Sequence, residues 1–211
     1  MLPQAHYGVP QARQRVFILA AKRGCTLPQP PPPSVHFRDA RGISDFGQVV
    51  IGSNSSLPSP TTVLDTIDDL NPLEDGDDEA QRNGAVLGYD VSLYERPPRN
   101  DFQQKLRTCR DGSVLGVDSV LHNHWSQTAK EEAKALEASA PVYPTVIGRS
   151  TCLHPLHPRP LTIRERARAC ALPDWVELKG SLGSQATQVG NLVRSTPLPL
   201  DERTEKTAKE A

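Results

Sequence analysis

Gln11, Arg13 and Arg15 alternate in Tyr7-Gly8-Val9-Pro10-Gln11-Ala12-Arg13-Gln14-Arg15, directly before the apolar run Val16-Phe17-Ile18-Leu19-Ala20-Ala21. A guanidinium is permanently charged, planar and rich in donors, so two of them on the approach to a buried strand hold fixed positive charge at the edge of a pocket. An anionic or electron-rich guest is what such a rim serves. Taken in isolation, the same pair reads as solvated charge flanking a strand. His122, His124, His154 and His157 raise a metal site, but no cysteine lies at ligand spacing and prolines flank His157, so no metal is expected. Cys25, Cys109, Cys152 and Cys170 show no Cys-x-x-Cys spacing, and reduced thiols of an intracellular protein are a simpler reading than a disulfide framework or a zinc site.

The elements that must position these groups are few. Residues 15–21 are continuously apolar and β-favouring, which suits a strand buried on both faces of an α/β sheet. With 36% hydrophobic and 5% aromatic residues and 20 prolines in 211, the chain is short of core-forming material, so one small packed region and much irregular chain are expected. Leu27-Pro28-Gln29-Pro30-Pro31-Pro32-Pro33 must run extended, as a stiff connector or, alternatively, a ligand for a proline-binding module. Residues 41–60 read as loop. Residues 62–70 read as a short helix capped by Thr61 or Thr62, with Val63, Ile67 and Leu70 on one face. A helix over 129–139 has Thr128 and Glu131 placed as a capping box, yet Leu136 is its only large apolar residue, which makes it mostly solvated.

The clearest helix begins after Thr162, where Thr162 and Glu165 form a capping box, Ile163, Ala167 and Cys170 make a narrow apolar stripe, and Pro173 ends the run. Its arginines read as an exposed face or as scaffold, with Arg164 and Glu165 able to pair. A formal charge of −1 hides a segregation of Arg149, Arg159, Arg164, Arg166 and Arg168 from an acidic block of Asp65, Asp68, Asp69, Glu74, Asp75, Asp77, Asp78 and Glu79. The basic stretch therefore says more about an anionic partner than the net charge does. Residues 74–79 read as a solvated loop and 201–211 as a disordered tail. No apolar run approaches the roughly 20 residues that span a bilayer, and no signal segment opens the chain, so a soluble cytosolic or nuclear protein is expected.

Three separated pieces stand in the order in which one family carries them. Gln11-x-Arg13-x-Arg15 before a strand, residues 159–168 followed by Pro173-Asp174, and Gln188-Val189-Gly190-Asn191-Leu192-Val193 resemble the final motifs of DNA (cytosine-5) methyltransferases. Between them, Thr61-Thr62-Val63, Phe102-Gln103-Gln104-x-Leu106-Arg107, Asn123-His124-Trp125 and Leu153-His154-Pro155 look like the eukaryotic chromatin-associated branch, the maintenance type and its fungal relatives. The resemblance covers most of residues 5–194.

That resemblance implies a great deal about chemistry. Such enzymes flip a cytosine out of the duplex, since a stacked base cannot be attacked. A cysteine thiolate adds to C6, and C5 then takes the methyl group of S-adenosylmethionine. By motif position Arg13 and Arg15 would lie beside the flipped nucleotide, Gln11 would brace their loop, and Asn191 and Leu192 would face the cofactor. The implied fold class is α/β, a C-terminal piece of the Rossmann-like methyltransferase fold with a largely irregular recognition region. Residues 1–25 would hold the last catalytic-domain strand, 26–150 the target-recognition region, 151–195 the returning helices and 196–211 a tail.

The nucleophile's Pro-Cys dipeptide occurs nowhere in the 211 residues, nor does the family's Glu-Asn-Val. Ala171-Leu172 stands where the family has Gly followed by an aromatic residue. The expectation is therefore a nuclear, DNA-binding piece of the enzyme that is inactive alone, whose partners are DNA and the missing N-terminal portion or another subunit. A non-catalytic remnant is the alternative, and a related tRNA methyltransferase is disfavoured by the 102–107 and 123–125 resemblances.

Overall fold

The computed structural model describes residues 2–11, 13–15, 18–27, 34–35, 57–58, 61–70, 94, 96–123, 134–135, 143, 152–157 and 159–192. Strand β1 (Leu2–Pro3) runs into one 3-10 turn (Gln4–Tyr7) and the chain returns as β2 (Gln14–Arg15), antiparallel to β1 with Leu2 opposite Arg15. Then come α1 (Val63–Ile67), α2 (Asp101–Arg107), β3 (Lys134–Ala135), β4 (Cys152–Leu153), α3 (Ile163–Ala169) and α4 (Leu182–Asn191). Strand β3 pairs parallel with β4.

Helix α1 packs on α3, and α3 on α4. Val63, Ile67, Leu70, Leu121, Tyr143, Leu161, Ile163, Ala167, Ala186 and Val189 form the apolar core between them. Each helix starts on a side-chain cap. Thr62 accepts from the Asp65 amide and Thr162 from the Glu165 amide, each with a carboxylate reaching back to the cap amide, while Asn100 and Ser181 cap α2 and α4. Short helices depend on such caps, because a helix of five to seven residues has few internal bonds to offset its orphan amides.

Helix α3 ends in a Schellman turn. The Leu172 amide donates to Ala167 O at 2.9 Å and the Ala171 amide to Arg168 O at 2.7 Å, with Ala171 left-handed at φ 54. Glycine is the residue this position favours. Pro173 follows the stop and does not cause it.

Three expectations are corrected, and an alternative is decided. The strand over 15–21 is present only at Gln14–Arg15; residues 18–20 have no strand structure and Ile18 is 88% exposed, while 16 and 17 lie outside the described residues. A strand buried on both faces needs neighbours along its length, and β1 supplies two residues. The helix over 129–139 is contradicted where it is described, since Lys134–Ala135 is a strand; its single apolar residue left local propensity open to capture by β4. Of the two readings of the arginine-rich helix, scaffold holds and an exposed face does not, for all seven residues of α3 are buried, and so is Arg159. These cations are spent inside the molecule and offer little to an outside anion. Arg164 and Glu165 do not pair; Glu165 takes two bonds from Arg159. The proline run, most of the 41–60 loop, the acidic 74–79 segment and the tail lie outside the described residues, which also hold only these two two-stranded sheets.

Candidate functional site

Gln11 and Arg13 sit against α3 and α4, although more than 150 residues separate them in sequence. Gln11 is fully buried; its Nε2 donates to Cys170 Sγ at 3.6 Å, and its backbone bridges to Tyr143, whose amide donates to Pro10 O at 2.8 Å. Cys170 Sγ in turn donates to Val189 O at 3.6 Å. Arg13 Nη1 donates to Gly190 O at 2.6 Å. Gly190 is in the last turn of α4, where carbonyls lack helical partners and the helix dipole is negative, so a guanidinium there is held by both effects. Gln11 and Arg13 thus tie the first motif to the end of α3 and to the closing motif. Arg15 lies in β2 opposite Leu2. Asn191 is the exposed last residue of α4, and Leu192 is its half-buried C-cap, packed on the core.

Burial pushes the Cys170 thiol up to about 11, against the opposing pull of Arg13, Gln11 and Arg166. Such a thiol is a neutral packing group and not a nucleophile. His154 Nδ1 accepts the Leu156 amide at 3.1 Å and its Nε2 lies 3.7 Å from Glu165. Both ring nitrogens therefore already face protein atoms.

Beneath this loop lies an ionic interior that the sequence reading did not single out. Asp69, one of the acidic block that contrasts with the basic stretch in the sequence, is fully buried. It accepts from Arg107 Nε at 2.9 Å and Nη2 at 2.5 Å, and from Arg168 Nη2 at 3.2 Å and Nη1. Arg168 also binds Asp174 at 2.6 Å through Nη2, Tyr94 Oη donates to the same carboxylate at 2.9 Å, and the Arg107 guanidinium lies 3.5 Å from the centre of the Tyr94 ring. Burial alone would lower the Arg168 pKa, but Asp174 and Asp69 override it and hold the group charged. Burial likewise raises Asp174, and Arg168 and Arg164 overcome it and bring its carboxyl below the usual range. The one available signal was the clustering of arginines on a helix with an apolar stripe too narrow to bury it.

Asn123, left-handed at φ 62, joins three segments. Its Oδ1 accepts the Leu178 amide at 2.8 Å, its Nδ2 donates to Gln185 Oε1 at 3.1 Å, and its carbonyl accepts the Arg164 amide at 2.8 Å.

The C-5 cytosine-specific DNA methylase family matches residues 1–201. The chain belongs to this family. Membership supports a S-adenosylmethionine-dependent methyltransferase fold and the use of that cofactor by the family. Among the similar methyltransferases are DNA (cytosine-5)-methyltransferase 4 of Arabidopsis thaliana, 27% identical over all of this chain and 17% of its own length, and the sea urchin Paracentrotus lividus enzyme PliMCI, 36% identical over 58% of this chain and 8% of its own. The bacterial type II methyltransferase M.DdeI of Desulfomicrobium norvegicum is 27% identical over 92% of this chain and 50% of its own length. The chain thus spans half or less of these relatives. For S-adenosylmethionine, Asn191 and Leu192 offer one exposed carboxamide and one half-buried side chain, which do not make up a site for a nucleoside and a sulfonium.

Proposed function

We propose that this chain is the C-terminal part of a eukaryotic DNA (cytosine-5) methyltransferase of the nucleus, acting on DNA together with a polypeptide that carries the nucleophile and the cofactor-binding strands. The supporting observation is the Arg13 bond to Gly190, which fastens the first motif to the closing one. A loop fixed at that point keeps Arg13 and Arg15 at a constant distance from α4, so that both guanidinium groups serve a flipped cytosine and its phosphate without being reordered at each turnover. Gln11, locked between Tyr143 and Cys170, braces the loop. Asn191 and Leu192, on the last turn of α4, contribute one edge of the cofactor site. Residues 1–25, 26–150, 151–195 and 196–211 remain the assigned catalytic strand, recognition region, returning helices and tail. Exposed Ile18 and Leu19 are the surface onto which the partner's sheet would add.

Transfer of labelled methyl from S-adenosylmethionine to unmethylated and hemimethylated duplexes tests this, with the chain alone and mixed with a family polypeptide carrying the Pro-Cys and Glu-Asn-Val motifs. Transfer by the mixture only is the expected result, and turnover by these 211 residues alone overturns the division of labour. The absence of Pro-Cys favours one second reading, a non-catalytic DNA-binding remnant. It predicts salt-sensitive DNA binding with no transfer in either arm.

A further inference from the structure

A cleft of about 250 Å³ opens between α1 and residues 154–157 and 159, floored by Leu64, Ile67, Leu70 and Leu156. Its acidic groups are already engaged. Asp68 Oδ1 accepts from Gln103 Nε2 at 2.6 Å and Oδ2 from Arg99 Nη1 at 2.6 Å. Glu165 accepts from both Arg159 Nη atoms and from the Thr162 amide.

The donors are another matter. Arg99 uses Nη1 on Asp68 and leaves Nε and Nη2 with no acceptor among the described residues, on a side chain that is 56% exposed. The His157 ring meets the His154 ring at 4.6 Å, tilted by 42°, and its nitrogens have no hydrogen-bond partner among the described residues. Arg96 lines the same cleft.

With its carboxylate oxygens occupied and guanidinium and imidazole N–H groups spare, the cleft can serve an acceptor and not a donor. The apolar floor lowers the local dielectric and strengthens any charge-assisted bond made above it. Its volume lies below the roughly 300–1,000 Å³ of drug-sized sites and suits a small anion. We propose that this cleft is a phosphate-oxyanion site, with Arg99 as the cation and His157 as the second donor. The Arg99–Asp68 pair does not block it, because an exposed ion pair is weak and the guanidinium can hold Asp68 by one edge and the anion by the other. A free phosphate and a nucleic-acid backbone share this chemistry, and the site stands whether or not the chain methylates DNA.

The test titrates the full chain with inorganic phosphate, following the His157 imidazole in a nitrogen-15 spectrum and affinity by calorimetry, with sodium chloride at matched ionic strength as control. Saturable movement of His157 by phosphate and not by chloride is expected, with R99Q and H157Q each weakening binding roughly tenfold or more and R110Q leaving it unchanged. Movement of the same resonance by a short DNA duplex assigns the site to backbone phosphodiester; its absence, with phosphate still binding, assigns it to a free phosphate. The proposal is overturned if phosphate gives no saturable effect, if chloride reproduces it, or if R99Q and H157Q bind as the parent does.

Discussion

Asp68 and Asp69 are adjacent carboxylates with opposite environments, and replacing each by asparagine gives a matched pair of perturbations. Asp69 is fully buried and is the carboxylate partner of Arg107, itself fully buried, while also sharing Arg168 with Asp174. In D69N the amide keeps the shape and one acceptor but leaves Arg107 without a countercharge. Breaking a buried ion pair on one side costs about 3–5 kcal/mol. The Tyr94 ring beneath Arg107 returns on the order of 1–2 kcal/mol at most and does not restore the pair. Asp68 meets Arg99 at 2.6 Å, but that arginine is 56% exposed, so D68N should cost about 1 kcal/mol or less. Urea denaturation followed by circular dichroism reads both, and thermal melts should separate them, at about 2–4 °C per kcal/mol for a chain of this size. A large loss includes failure to accumulate as soluble protein. If D69N is no less stable than D68N, the account of the ionic interior is wrong.

Three further outcomes follow from the same structure. Ala171→Gly relieves the left-handed position at the end of α3 and should stabilise the chain by about 1 kcal/mol, read as a raised urea midpoint with an unchanged slope. Asp174 titrates below the ordinary carboxylate value in the folded state; its contribution is complete above the unfolded value of about 4 and is lost as pH falls through the folded one. The melting-temperature gap between the parent and D174N should therefore be constant at neutral pH and close below about pH 4. Cys25 is exposed and Cys170 is buried with a raised pKa, so iodoacetamide should label Cys25 rapidly and Cys170 only after unfolding, as peptide mass spectrometry resolves.

The local parts of this fold were legible because local chemistry sets them. Thr162 and Glu165 mark the start of α3 and Thr62 that of α1, since a cap is written within four residues. The order of the three motifs also pointed to the family. What escaped the sequence was decided by partners far along the chain. Asp69 and Asp68 look alike in a row of acids, and only the arrival of Arg107 and Arg168 makes one of them interior. The arginines of α3 left exposed face and scaffold both open because arginine is rarely buried without a partner, and in one case the partner lies 99 residues upstream. The 15–21 strand failed for a similar reason, because apolar character states that a segment wants cover and not where the cover is.

The span of these contacts bears on when the molecule can fold. Arg168 meets Asp69 across 99 positions, and Arg13 meets Gly190 across 177. A chain made from its first residue onward completes α1 and α2, and with them the Asp69–Arg107 pair, long before Arg168 arrives to join it, and makes Arg13 before the helix end that anchors it. Loop-closure entropy must be met before such distant contacts form. On the ribosome, then, the segments that end up deepest wait longest in water. Any ribosome stall between Arg107 and Arg168 leaves Asp69 with Arg107 but without its second guanidinium, and leaves α1 without the helix it packs against, which makes late translation the step where quality control has the most to act upon.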